Sequence, residues 1–188
     1  IYQIDQANLG VPVALCPFNL NEVCYRPAGL VRSKGVDIEL QGAILPNWQI
    51  SAGFTHVVQR TIKDTPATEG LRLNTQLPTT LFKLSSTYQG DRWRVGGNVR
   101  WQNRIYYSGV TPDWASPIIA YNTEQRAYAL VDAMFGYELS RNADLQINIY
   151  NIFDKNYYSA INARPVDFEA NTVYGAPRSF RVTARYRF

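Results

Sequence analysis

The sequence holds one histidine, one methionine and two cysteines among 188 residues. No apolar run approaches the ~20 residues that a membrane-spanning helix needs. Each scarcity excludes something. Without such runs, and at a mean hydropathy of −0.26, the chain cannot cross a membrane as helices. The lone His56 has no Ser or Cys nucleophile motif beside it, so a hydrolytic triad lacks its parts, and His56 reads as a rim residue without functional duty. There is no glycine-rich phosphate loop and no clustered His/Asp/Glu set with metal-ligand spacing. Lys and Arg never cluster, so the net charge of +4 is spread along the chain and leaves no nucleic-acid footprint.

What is abundant is alternation. The last thirteen residues, APRSFRVTARYRF, place Phe180, Val182, Ala184, Tyr186 and Phe188 on one parity and Arg181, Thr183, Arg185 and Arg187 on the other. Successive side chains of a strand point to opposite faces, so this segment has one oily and one basic face. The same pattern runs through Leu30–Ile44, through the segment from Trp48 past Phe54, through Leu81–Tyr88, Trp93–Gln102 and Val131–Leu139, and from Leu145 towards Tyr157-Tyr158. Parity becomes ambiguous at Asn151–Asp154, where a bulge is expected. With a stub at Ile1–Asp5, this makes eight strands.

Tight turns at Leu45-Pro46-Asn47, Gln89-Gly90-Asp91 and Arg141–Asp144 alternate with the long loops Lys63–Asn74, Gly109–Glu124 and Ala160–Gly175. Short turns at one end and long loops at the other are the outer-membrane arrangement, turns periplasmic and loops external. Aromatics reach 13%, with 13 Tyr and 4 Trp. Trp48, Trp93 and Trp101 fall near strand ends, where interfacial girdles sit. The expected fold class is therefore all-β, an antiparallel transmembrane β-barrel.

Cys16 and Cys24 lie eight positions apart in a segment carrying Pro12, Pro17 and Pro27. In an exported chain such a pair is most simply a disulfide, since a metal site would need more ligands than two Cys and a distant His56. Asp37 and Glu39 share one side of a strand; they are expected to face a polar interior beside arginines such as Arg185 and Arg187 rather than to do acid–base work.

Several segments, taken together and in order, resemble the C-terminal part of TonB-dependent outer-membrane receptors of the ferric-siderophore branch. They are Ser33–Leu40 with Gly42; Leu77-Pro78 leading into Leu81–Tyr88; Tyr128–Tyr137; Asn148–Tyr158; and Tyr174–Phe180 running to Phe188. The resemblance covers nearly the whole chain. It implies the closing eight strands, the first partial, of a barrel of about 22 strands filled by an N-terminal plug. Residues 1–188 are then expected to be a piece of the barrel domain, with the plug outside the sequence.

The resemblance further implies capture of a ferric siderophore by external loops, then uptake driven by the TonB-ExbB-ExbD complex acting through the plug. No cofactor is expected, because the chelator itself carries the ferric iron, and no enzymatic activity is expected. Candidate ligand contacts are the loop aromatics Tyr106, Tyr107, Trp114, Tyr121, Tyr157 and Tyr158. Tyr186 and the terminal Phe188 resemble the signal read by the barrel-assembly machinery. The expected location is the Gram-negative outer membrane, against lipid. Three rivals stay open: a passive porin, a TonB-dependent receptor for haem or cobalamin, and a soluble all-β binding module.

Overall fold

The computed structural model describes residues 1–13, 24–110, 120–161 and 172–188. Among these every regular element is a strand: β1 (Tyr2–Val13), β2 (Cys24–Leu45), β3 (Trp48–Lys63), β4 (Thr80–Gln89), β5 (Trp93–Gln102), β6 (Ile105–Val110), β7 (Ala120–Gln125), β8 (Tyr128–Ser140), β9 (Ala143–Tyr150), β10 (Tyr158–Ala160), β11 (Val173–Tyr174) and β12 (Ser179–Tyr186). Eight of them form one sheet in the order β1-β2-β3-β4-β5-β8-β9-β12. The eight alternating segments of the sequence are these eight strands. Two ribbons, β6 with β7 and β10 with β11, stand apart from that sheet.

The chain divides into two units, Ile1–Asp37 with Thr55–Thr75, and Ile38–Phe54 with Gln76–Phe188. In the first unit β1 runs antiparallel to β2 from Tyr2 opposite Gly35 to Val13 opposite Cys24. The expected five-residue stub at Ile1–Asp5 is thus corrected to a twelve-residue strand. Its period breaks at Asn8, which takes φ 60° and shifts the register between Ala7 and Leu9. Arg32 grips Asp5 across this pair with two parallel bonds of 2.7 Å, the fork geometry that makes guanidinium–carboxylate pairs orienting. The segment after β3 folds back on it: Thr61 exchanges backbone bonds with Gly70 and Leu71, and Leu73 N–H donates to Gln59.

In the second unit the strand registers turn a one-dimensional alternation into a two-dimensional face. Tyr88 lies opposite Val95, Val95 opposite Phe135, Phe135 opposite Ile147 and Ile147 opposite Val182. Parallel rows run Phe82–Trp101–Ala129, Leu84–Val99–Val131 and Gly97–Ala133–Ile149–Phe180. The opposite face carries Lys83 with Arg100, Asn98 with Asp132, and Gln146 with Thr183. Phe180 and Val182 are about two-thirds exposed, so water does not explain this face, whereas lipid does. Trp93 and Trp101 bracket it eight residues apart, about 26 Å along the strand and about 20 Å after a ~40° tilt, within the ~25 Å apolar band of outer-membrane barrels. The one polar side chain in the middle of this face, Ser86, accepts a 2.8 Å bond from the Trp48 indole.

The short turns are stitched together at one end. Gln89 N–H donates to Asn47, Glu138 N–H to Arg92, and Arg187 N–H to Asn142, each at 2.8 Å. Arg185 and Arg187 belong here, Arg185 opposite Asp144, on the sheet edge far from β2. They are not the neighbours expected for Asp37 and Glu39. Both carboxylates are exposed on β2.

Candidate ligand-binding site

At the opposite end of the second unit lie the two ribbons, and here most of its buried residues gather: Ile105, Gln125, Leu130, Asp132, Asn151 and Ile161. The expected bulge at Asn151–Asp154 is a turn instead. Asn151 and Asp154 each adopt φ 50°, the left-handed region that Asn and Asp tolerate best after Gly, so β9 stops at Tyr150.

Asn151 locks this turn. Its backbone N–H donates to Asp132 Oδ1 at 2.9 Å; its Nδ2 donates to the carbonyls of Lys155 and Ala176; its Oδ1 accepts from Lys155 N–H. A side-chain amide suits the task because it donates twice and accepts at once. The other oxygen of Asp132 pairs with Arg100 at 3.2 Å, and Asp154 accepts from Arg178 N–H at 2.9 Å. One short turn thereby ties together β8, β9 and the approach to β12.

From this anchor the chain presents Tyr157 and Tyr158. The Tyr157 ring packs on Tyr128, centroids 4.8 Å apart, and lies directly on Gly175, where any Cβ would collide with it. Gly175→Ala is expected to expel the Tyr157 ring and cost about 0.5–1.5 kcal/mol, the worth of an aromatic pair. Thermal unfolding of the detergent-solubilised protein checks this. Tyr158 is held by its backbone N–H bond to Gln125 Oε1, 2.8 Å, which links β10 to β7. Its ring meets Tyr174 at 4.9 Å. The hydrogen bond with Tyr174 holds the Tyr158 hydroxyl above the usual phenol pKa, so it stays protonated at physiological pH.

In the other ribbon Tyr107 pairs with Tyr121 at 5.8 Å, and Tyr106 lies under the Arg104 guanidinium at 5.1 Å while Arg104 pairs with Glu124. The segment expected to be a long loop, Gly109–Glu124, therefore contributes β7 and the end of β6 to an antiparallel ribbon. Of the six expected aromatics, five fall on these two ribbons and their approaches; Trp114 lies outside the described residues. Tyr174 is one the sequence reading missed, though it stands in the quoted segment Tyr174–Phe180. At 72% exposure it is the most accessible ring of the group. Cys24 is disulfide-bonded, and Cys16 lies outside the described residues. At the turn end Tyr186 and Phe188 meet edge to face at 5.2 Å.

Comparison with known proteins gives the family of the chain and its fold. Residues 1–152 match the family model described as TonB dependent receptor-like, beta-barrel. The ferric-pyoverdine 358 receptor of Pseudomonas putida is 31% identical over all of this chain and 21% of its own length. The catecholate siderophore receptor Fiu of Escherichia coli K12 is 32% identical over 87% of this chain and 20% of its own. The crystal structure of the ferripyoverdine receptor of Pseudomonas aeruginosa, bound to ferripyoverdine, superposes with a TM-score of 0.79 at 27% identity, covering 98% of this chain and 24% of that one. The chain thus spans about a fifth of the length of the curated relatives it matches. It belongs to the TonB-dependent receptor β-barrel family of the outer membrane.

Proposed function

We propose that this chain is wall and rim of an outer-membrane receptor that captures ferric siderophores for TonB-driven import. The observation that carries the reading is the ring set Tyr107–Tyr121 and Tyr158–Tyr174 at the end of the second unit opposite its stitched turns. Flat, partly exposed rings offer contact area at low entropic cost, and the tyrosine hydroxyls and Arg104 supply the few polar groups that fix a bulky chelate. The names of the relatives, ferric-pyoverdine and catecholate receptors, support that ligand class. Ferric iron is cargo held by its chelator, and the chain itself performs no chemistry on it. The energising TonB-ExbB-ExbD complex acts through the plug of the whole receptor. Tyr186 and Phe188, paired edge to face at the turn end, serve the barrel-assembly machinery, and the apolar face meets lipid.

The test is growth. An iron-starved strain deleted for the receptor and complemented with the whole gene is expected to grow on one member of a siderophore panel. Growth restored by haem instead, or by none of the panel, refutes the ligand class. Tyr158→Ala and Tyr174→Ala are each expected to weaken binding of that siderophore about tenfold, near 1.4 kcal/mol per lost ring contact. Titration of the purified receptor by intrinsic fluorescence measures it.

A further inference from the structure

The two aromatic ribbons are tied to each other at their bases. Residues directly opposite in an antiparallel pair share a face, so in the β6–β7 ribbon Ile105 and Tyr107 stand on one side with Gln125, Thr123 and Tyr121. Tyr106 and Ser108 stand on the other side with Glu124 and Asn122. Burial follows the same division. Ile105 and Gln125 are buried and Tyr107, Thr123 and Tyr121 are half-buried, whereas Ser108, Asn122 and Glu124 are exposed.

Gln125 closes β7 at the buried base of this ribbon, opposite Ile105. Its Nε2 donates to the Arg126 carbonyl at 2.8 Å, which orients the amide. Its Oε1 then accepts the Tyr158 N–H, also at 2.8 Å, from 33 residues along the chain. Tyr158 opens β10 and lies opposite Tyr174. One amide therefore stands on the face that bears the Tyr107–Tyr121 ring pair and holds the strand that bears the Tyr158–Tyr174 pair. From its other side the second ribbon is fixed by the Asn151 turn and by the 2.8 Å bond from Gly175 N–H to the Tyr157 carbonyl. A buried amide paired at both ends is costly to displace, so the length of this side chain sets the distance between the ribbon bases.

We propose that Gln125 is a positioning residue that makes the two ring pairs act as one clamp on a single ligand. The inference rests on the ligand-binding reading of these rings and adds which of them share the ligand. Tyr107 and Tyr121 meet it together with Tyr158 and Tyr174; Tyr106, on the other face of its ribbon, does not.

A double-mutant cycle tests this, read by titrating the purified whole receptor in detergent with the ferric siderophore that restores growth in the panel. Tyr121→Ala and Tyr174→Ala are each expected to weaken binding about tenfold. Together they are expected to cost about twentyfold, short of the roughly hundredfold of independent contacts, because groups that act as a unit do not add. In a Gln125→Met background, of similar volume but without the amide, that shortfall is expected to vanish. Gln125→Glu separates positioning from plain stability. It keeps an acceptor for Tyr158 N–H but loses the donor to Arg126 and buries a charge, so its melting temperature should fall at least as far as that of Gln125→Met. Its affinity and its coupling should nevertheless stay nearer to those of the wild type. Affinity that tracks melting temperature across both Gln125 variants makes the amide an ordinary fold contact and overturns the proposal. So does a fully multiplicative loss in the wild-type background, or a loss in Tyr106→Ala equal to that in Tyr121→Ala. In each of these results the wild type still binds and the ligand class stands. A wild type with no affinity for any siderophore of the panel removes the ligand class and the clamp together.

Discussion

Ala133→Arg is expected to destabilise the receptor by about 2–4 kcal/mol in the membrane, while Met134→Arg, one residue along the same strand, is expected to change stability by less than about 1 kcal/mol. Ala133 lies in the row Gly97–Ala133–Ile149–Phe180, midway between Trp93 and Trp101 and so at the depth where a lipid-facing cation costs most. Met134 points the other way, opposite Gly96 and Asn148, on the face that carries Asp132 and Arg181. Both side chains are only partly covered within this chain, so a water-exposed sheet would accept either arginine almost equally. The difference between the two variants is therefore a measure of lipid. Heat-modifiable protein recovered from outer membranes, and urea unfolding in lipid vesicles, should fall for Ala133→Arg alone. Equal behaviour of the two would remove the membrane assignment of this face.

The same physics explains which parts of the fold could be read from sequence. Lipid on one side and a polar interior on the other force a period of two, and β4, β5, β8, β9 and β12 carry it through the apolar band, with Ser86 of β4 as the polar exception on the lipid side. Where that constraint ends, the period ends. β1 shows the period only as far as Asp5 because Asn8, with φ 60°, shifts the register and puts later residues on the opposite parity. The outer part of β2, Cys24–Gly29, includes Pro27 and Gly29 yet still pairs with β1. β6, with adjacent Tyr106 and Tyr107, and the polar β7 pair through six backbone positions that no apolar stripe announces. A hairpin outside the bilayer needs only backbone partners, and those leave no trace in hydropathy.

The candidate site was legible as a set of residue types but not as an arrangement. Tyrosines in long loops pointed to the end of the sheet that carries the two ribbons. What singles out Tyr174 beside Tyr158, or buries part of Tyr157 between Tyr128 and Gly175, is contact between segments about sixteen to thirty residues apart. The Asn148–Tyr158 segment did carry a local signal. Its parity failed at Asn151, and that failure marked the residue on which the turn depends.

Asn151→Ala is accordingly expected to have a large effect for a single amide, about 2–4 kcal/mol of lost stability. Two contributions add. The Lys155 N–H and the carbonyls of Lys155 and Ala176 lose their partners in a part-buried setting, costing about 1–3 kcal/mol. Alanine must also hold φ 50°, which costs a non-glycine residue about 1–2 kcal/mol and asparagine less. Asn151→Gly separates them, since it relieves the backbone but restores no bond; it should be milder than Ala by about 1 kcal/mol. Asn151→Asp keeps the acceptor for Lys155 N–H yet sets a carboxylate oxygen against two carbonyls, beside the buried Asp132, and should be at least as damaging as Ala. Because Tyr157 and Tyr158 hang from this turn, affinity for the ligand class proposed above should fall together with the melting temperature in all three variants, in the same order. Unchanged affinity in a clearly destabilised Asn151→Ala receptor would detach the turn from the rim and leave it a purely structural clasp.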